Sequence, residues 1–172
     1  MIVVLVGLPG SGKSTLANAL RHHVPHLRVL NKDEVRHALF QPCDYSAAER
    51  SISFSAMLDA ARYHLGRGRT VVLDGLAFQR PGEAEAVAVA AQEAGALVAT
   101  VVCDVPVEVA AARAESDAAV GAHRAANRDS AAVRRVAAEM REPAGDYLIV
   151  DTTAPAAQVV EQVLAYLAEL GQ

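Results

Sequence analysis

The chain has 172 residues, enough for one domain in the usual range of about 100–200 residues, with a core that needs no disulfide or metal staple. Hydrophobic residues make up 52% and charged residues 21%, which excludes a disordered chain. A net charge of -4 speaks against a protein that grips long nucleic acid with its whole surface, because such binding neutralises phosphates with Lys and Arg.

Two cysteines, Cys43 and Cys103, imply no disulfide framework and fit a reducing compartment. The apolar opening, residues 1–6, is too short for a secretory leader and runs straight into a Gly-rich turn. No stretch approaches the roughly 18 apolar residues of a membrane span. The expected location is the cytoplasm, with no membrane partner.

Taken in chain order, short apolar runs bounded by turn residues fall at 2–6, 27–30, 70–73, 97–103 and 147–150. Their length and β-branched content predict buried strands. Longer Ala-rich segments with helical periodicity lie between them, at 13–23, 32–40, 47–65, 83–94, from 107 onward, 130–141 and 156–170. Ser46-Ala47-Ala48-Glu49 reads as a capping box, in which serine and glutamate each satisfy the other's orphan amide. Strands alternating with helices of this length predict a three-layer α/β fold, with about five parallel strands covered on both faces. The whole chain, 1–172, is expected to be a single domain. Residues 114–129 are polar, Ala-rich and weakly periodic, and are the expected mobile segment.

The first strand leads into Gly7-Leu8-Pro9-Gly10-Ser11-Gly12-Lys13-Ser14-Thr15, and a helical pattern follows. This strand, loop and helix context is what a P-loop requires. Glycines permit a tight turn whose N–H groups converge on phosphate oxygens, and the helix adds its positive end. Lys13 would put a point charge on the β- and γ-phosphates, and the Ser14 hydroxyl would ligate Mg²⁺. Gly7, Pro9, Gly10, Ser11, Gly12, Lys13, Ser14 and Thr15 are therefore the expected holders of Mg²⁺ and ATP. P-loops serve kinases, switches and motors alike, so the acceptor must be read elsewhere.

After the second strand comes Asn31-Lys32-Asp33-Glu34-Val35-Arg36. Asp33 and Arg36 lie one turn apart on a helix start and share a face. A carboxylate there could take a proton from an acceptor hydroxyl while the arginine orients the acceptor. The competing reading is a capped helix with a surface ion pair. The third strand is expected to end at Asp74, and strand-to-loop turns favour Asp even where it has no function.

The Gly-Leu-Pro-Gly-Ser-Gly-Lys-Ser-Thr loop followed by Asn-Lys-Asp-Glu-Val-Arg resembles the polynucleotide-kinase-like branch of P-loop kinases, which includes small-molecule and antibiotic phosphotransferases. The resemblance implies Asp33 as general base, Arg36 as an acceptor contact and Asp74 as the acid beside the phosphate loop, where it would hold a Mg²⁺-bound water or orient Arg36. It also implies a lid, at about residues 114–129, whose arginines close over the transferring phosphate, here Arg113 and Arg124 with Arg128 third, although acids are interleaved among them. The capped helix borders the acceptor pocket in that branch, which brings in Arg50 with Glu49 and Ser53; Phe78 and Arg80 lie just past Asp74.

Three functions follow. The leading one is an ATP-dependent kinase acting on a small-molecule hydroxyl, on a nucleoside, sugar or antibiotic-like compound. The second is a polynucleotide 5′-hydroxyl kinase, which the net charge and the lack of an aromatic-basic stripe oppose. The third is a switch NTPase, which would leave Asp33 idle. His22, His23 and His26 lack the spacing and companions of a zinc site. Oligomeric state is not legible.

Overall fold

The computed structural model describes residues 1–78, 80–119 and 129–171. Five strands, β1 (Ile2–Val6), β2 (Arg28–Asn31), β3 (Val71–Leu76), β4 (Val98–Asp104) and β5 (Tyr147–Asp151), form one parallel sheet in the order β2-β3-β1-β4-β5. Among the described residues seven helices accompany them: α1 (Lys13–Leu20), α2 (Lys32–Leu39), α3 (Ala47–Leu65), α4 (Glu83–Glu93), α5 (Val107–Ala119), α6 (Ser130–Glu139) and α7 (Ala156–Leu170).

Side chains alternate across a strand, so each strand feeds two cores. Ile2, Val4 and Val6 of β1, with Val71 and Leu73 of β3, face Met57, Ala61 and Leu65 of α3 and Val87, Ala90 and Ala91 of α4. Val3 and Leu5, with Val72, Ala99, Val101 and Val150, face Leu16 and Leu20 of α1 and Val159 and Val163 of α7. Every residue of β1 is buried, as expected for a central strand sealed on both faces. A third cluster sits beneath the Gly-rich loop, where Leu8 and Val105 meet Ala110 and Ala114 of α5 and Val133 of α6.

The chain leaves β1 toward one edge of the sheet and crosses to the other side after β3. Such a change of direction opens a crevice at the carboxyl ends of the strands. The loop after β1 and the turn after β2 both emerge there.

The expected elements are all present, with differences at their ends. α1 stops at Leu20 rather than 23, because the next amides fold back on carbonyls three residues earlier (Arg21 N–H to Asn18 O, His22 N–H to Ala19 O, His23 N–H to Leu20 O), tightening the chain into turns ahead of Pro25. β3 runs through Asp74 to Leu76, so Asp74 lies within the strand and not at its end. Val72 and Asp74 share the face that α1 covers. Gly75, at φ 84, breaks the alternation, and Leu76 turns into the opposite core.

The capping box is met only in part. Ser46 Oγ accepts from Glu49 N–H at 3.2 Å, as expected. The Glu49 carboxylate instead reaches past Ser46 to the N–H groups of Asp44 and Tyr45, both at 2.9 Å. Asp44 Oδ1 takes the Ser46 N–H at 2.7 Å. Tyr45 has φ 56, which bends the chain so that three amides in a row find carboxylates. The first part of the segment expected as a lid is helical, since α5 extends through Ala119.

No helix among the described residues is long and apolar enough to cross a membrane. Cys103 on β4 is buried, and burial pushes its thiol up to about 12 against the lowering effect of Lys13. At about pH 8.5 iodoacetamide should therefore label half-buried Cys43 in the native protein and reach Cys103 only after guanidinium unfolding, as read by peptide mass spectrometry. Rapid native labelling of Cys103 would contradict its place in the sheet.

Candidate functional site

The loop between β1 and α1 is shaped by glycines in conformations that other residues rarely adopt. Gly10 and Gly12 have φ 80 and 84. A Cβ on Gly10 would lie 2.2 Å from the Ala110 carbonyl oxygen of α5, so the loop rests directly on that helix. At Gly7, a Cβ would meet both the Cys103 carbonyl oxygen and Ser11 Oγ at 2.7 Å. The Lys13 Nζ donates to the carbonyls of Gly7 (2.8 Å) and Leu8 (2.6 Å) and to Ser11 Oγ (3.3 Å), which holds the ammonium at the loop. Lys13 and Ser11 are both buried.

Asp74 gathers the neighbouring elements. Because it shares the α1 face of β3, its Oδ2 accepts from Ser14 Oγ at 2.7 Å. Asn31 is its register partner on β2, and Asn31 Nδ2 donates to the same oxygen at 2.7 Å. Oδ1 takes the Gly75 N–H at 2.7 Å. A carboxylate with three donors is well satisfied in its buried position. Asp74 does not orient Arg36; it holds Ser14 and Asn31.

Asn31 also caps α2, its Oδ1 accepting from the N–H groups of Asp33 (2.9 Å) and Glu34 (3.1 Å). The Asp33–Arg36 pair is present, with Nη1 3.3 Å from Oδ1, but it is buried and not a surface pair. The Arg36 guanidinium lies over the Tyr45 ring, 5.5 Å from its centroid.

Two cavities meet at Lys13 and Gly75. One, of about 320 Å³, is lined by Gly10, Gly12, Lys13, Ser14 and Thr15, with Asp74, Arg113 and Thr152 and an apolar wall from α1 and α7. The second, of about 290 Å³, is lined by Gly7, Pro9 and Lys13 on the loop side and by Asp33, Arg36 and Arg50 opposite. Asp33 thus shares a cavity with the loop and Lys13. Ser14 Oγ and the Asp74 carboxylate offer adjacent hard oxygen donors beside the loop, a set that suits Mg²⁺.

Arg113 lies on the first cavity, its Nη2 donating to the Thr152 carbonyl at 3.2 Å. Arg124 and Arg128 lie outside the described residues. Of the α3 candidates only Arg50 lines a cavity. Glu49 caps the preceding turn, and buried Ser53 donates to the Glu49 carbonyl at 2.7 Å. Phe78 is buried in the α3–α4 core and lines neither cavity. Among the described residues no group of His, Cys, Asp and Glu is arranged to hold a metal by itself, and His22, His23 and His26 lie in a shallow surface hollow.

Sequence reasoning missed Lys32, Arg135 and Thr152. Lys32 stood within the recognised motif, and its neighbours Asp33 and Arg36 were the available signal. Arg135 and Thr152 carried none, since α6 and the turn after β5 reach the site only through tertiary packing.

A family model described as an AAA domain, AAA_33, matches residues 2–144. No curated protein sequence matches. Among solved structures, a protein from Chloroflexus aurantiacus assigned as a kinase superposes with a TM-score of 0.76 at 20% identity, covering 96% of this chain and 97% of the other. The Mycobacterium tuberculosis APS kinase, solved with AMPPNP and APS, gives 0.71 at 21%, covering 97% and 96%. A gluconokinase from Sinorhizobium meliloti gives 0.67 at 22%, covering 98% and 91%. At such identities the likeness is one of fold.

The loop geometry separates two glycines that the motif treats alike. Gly12 has room for a methyl, its added Cβ meeting Thr152 Cβ at an ordinary contact distance of 3.6 Å, so Gly12→Ala should cost only the left-handed penalty of about 1–2 kcal/mol. Gly10→Ala adds a clash with backbone and should cost at least about 1 kcal/mol more. Urea unfolding of the two variants measures the difference, and equal costs would refute the packing of the loop on α5.

Proposed function

The chain belongs to the AAA domain family AAA_33, and from that membership we propose that it is an ATP-dependent kinase that moves the γ-phosphate of ATP to a hydroxyl of a small molecule. The observation that carries this reading is that Asp33 lines the same cavity as Gly7 and Lys13. A carboxylate within reach of a phosphate cradle, and not on the outer surface, has a use in kinases that a switch NTPase would leave idle.

In this reading the loop amides and the α1 N-terminus hold the triphosphate, with Gly7, Pro9, Gly10, Ser11 and Gly12 shaping the loop and Thr15 at its helical end. Lys13 sits between the two cavities and exchanges its carbonyl partners for phosphate oxygens. Ser14, with Asp74 acting through water, would hold Mg²⁺, which when bound neutralises charge on the phosphates. Asp33 takes the proton of the acceptor hydroxyl as that oxygen bonds to the γ-phosphorus. The bond from the γ-phosphorus to the bridging oxygen then breaks, and ADP leaves. Arg36 pairs with Asp33 and orients the acceptor, while Arg113 stands beside the nucleotide cavity. Arg124 and Arg128 would complete the lid. The chain acts as one domain of the polynucleotide-kinase-like branch. Its net charge and few aromatic residues favour a small acceptor over long nucleic acid.

Incubation with γ-labelled ATP and a panel of hydroxyl compounds is expected to move label to a small molecule; label on a 5′-hydroxyl oligonucleotide alone, or release of phosphate with no acceptor labelled, would overturn the reading. Asp33→Asn should keep ATP affinity while transfer falls by about 10²-fold or more, the usual range for a lost general base. Lys13→Ala should fold, by circular dichroism and thermal melting, and lose turnover.

A further inference from the structure

Besides Gly7, Pro9 and Lys13 of the loop, the second cavity is lined mainly by cations: Lys32 and Arg36 come from α2, Arg50 from α3 and Arg135 from α6, with Asp33 and Glu139 as the acids among them. Three helices that are separate in sequence bring positive charge to one hollow. A solvated helix face would not concentrate like charges in this way, because they repel. Asp33 and Glu83 raise the Lys32 pKa, but desolvation by burial outweighs them and lowers it, with Arg50 and Arg36 adding to the lowering.

Arg36 supplies the second observation. It is only 7% exposed, and its Nε has no hydrogen-bond partner among the described residues. Asp33 takes one of its five donors at Nη1, and Tyr45 covers the guanidinium face without accepting a strong hydrogen bond. The orphaned Nε is itself closed off, so Arg36 meets the cavity through its other atoms, and a guanidinium is the group best suited to oxyanions. The volume of about 290 Å³ is at the small end for ligand sites, and no aromatic side chain lines it among the described residues. A base-bearing or polymeric acceptor would lack a stacking surface there.

We propose that the acceptor is a small, non-aromatic hydroxyl compound that already carries an anionic group, a phosphate, sulfate or carboxylate, and that Arg36, Lys32, Arg50 and Arg135 hold this group while its hydroxyl faces Asp33. This rests on the kinase reading for the hydroxyl, and on the cavity alone for the anion.

The test compares matched acceptors with γ-labelled ATP: glycerol with glycerol 3-phosphate, ribose with ribose 5-phosphate, glucose with gluconate, and a 5′-hydroxyl oligonucleotide. The charged member should be preferred in kcat/KM by about 10²-fold or more, since its anion gains charge-assisted partners from the cationic lining that the neutral analogue cannot use. Arg50→Gln and Lys32→Gln should raise KM for that acceptor by at least about tenfold, shrink its preference over the neutral partner, and leave KM for ATP in place. Arg21→Gln, an equal charge change at an exposed site outside the cavity, should alter neither. A neutral compound used as well as its charged partner, or the oligonucleotide as sole acceptor, overturns the proposal and leaves the kinase reading or its polynucleotide form standing. A second arm needs no turnover. With the nucleotide site saturated by Mg-AMPPNP, calorimetric titration with sodium sulfate should detect an anion site that Arg50→Gln combined with Arg135→Gln weakens by at least about tenfold. Equal sulfate binding by both proteins, or none by the wild type, overturns the anion site. Sulfate binding retained without transfer to any acceptor upholds the anion site and counts against the kinase.

Discussion

The Asp74 carboxylate fixes the distance between the two halves of the site. One of its oxygens takes both the Ser14 hydroxyl, at the start of the helix after the phosphate loop, and the Asn31 amide, at the end of the neighbouring strand. Asn31 turns its other amide atom to the start of the next helix, where Asp33 sits. A continuous run of short polar contacts therefore leads from Ser14 through Asp74 and Asn31 to the Asp33 backbone. The buried Asp74 carboxylate at its centre has all its donors supplied by these neighbours, which makes the arrangement stiff. If Asp74 turned away, the loop and the Asp33 helix would lose their common anchor.

The sheet makes this possible through strand parity. β1 and β3 present odd and even positions to different helical layers, and Asp74 falls on the layer that contains α1. The left-handed Gly75 then reverses the alternation, so that Leu76 closes the opposite core and the backbone behind Asp74 lies against Lys32. A parallel sheet sealed on both faces opens to ligands at its carboxyl edge, where the helices diverge. The buried polar residues Asp33, Arg36, Asp74, Lys13 and Ser11 gather at that edge.

Lys13 occupies the wall between a cavity with an apolar side and a cavity with a cationic one. Such a division suits two ligands of different character that meet at one charged point. The apolar wall comes from α1 and α7, whose core-facing residues reach the cavity rim. The cationic wall comes from α2, α3 and α6, three helices that contribute one or two long basic side chains each.

How much of this the sequence carried depends on the range of the interaction. The strands, the phosphate loop, the helix start at Asn31 and the layer order follow from local chemistry: β-branched runs, glycines at obligatory left-handed turns, a capping side chain, and alternation of strand with helix. The Asp33–Arg36 pair was legible for the same reason, since one turn of helix places the two on one face. Its burial was not, because that depends on Tyr45 and on the helices that close over it. Glu49 shows the limit most plainly. Spacing alone pairs it with Ser46, while the left-handed Tyr45 turns the preceding amides into its reach instead. Likewise Arg135 and Thr152 carry no pattern that distinguishes them from other exposed polar residues. Sequence by itself determined the strand and helix segments, their alternation and the phosphate-loop motif, since these rest on patterns among residues near in the chain. Only tertiary structure decided which distant side chains share a cavity, because packing of whole helices brings them within a few ångströms.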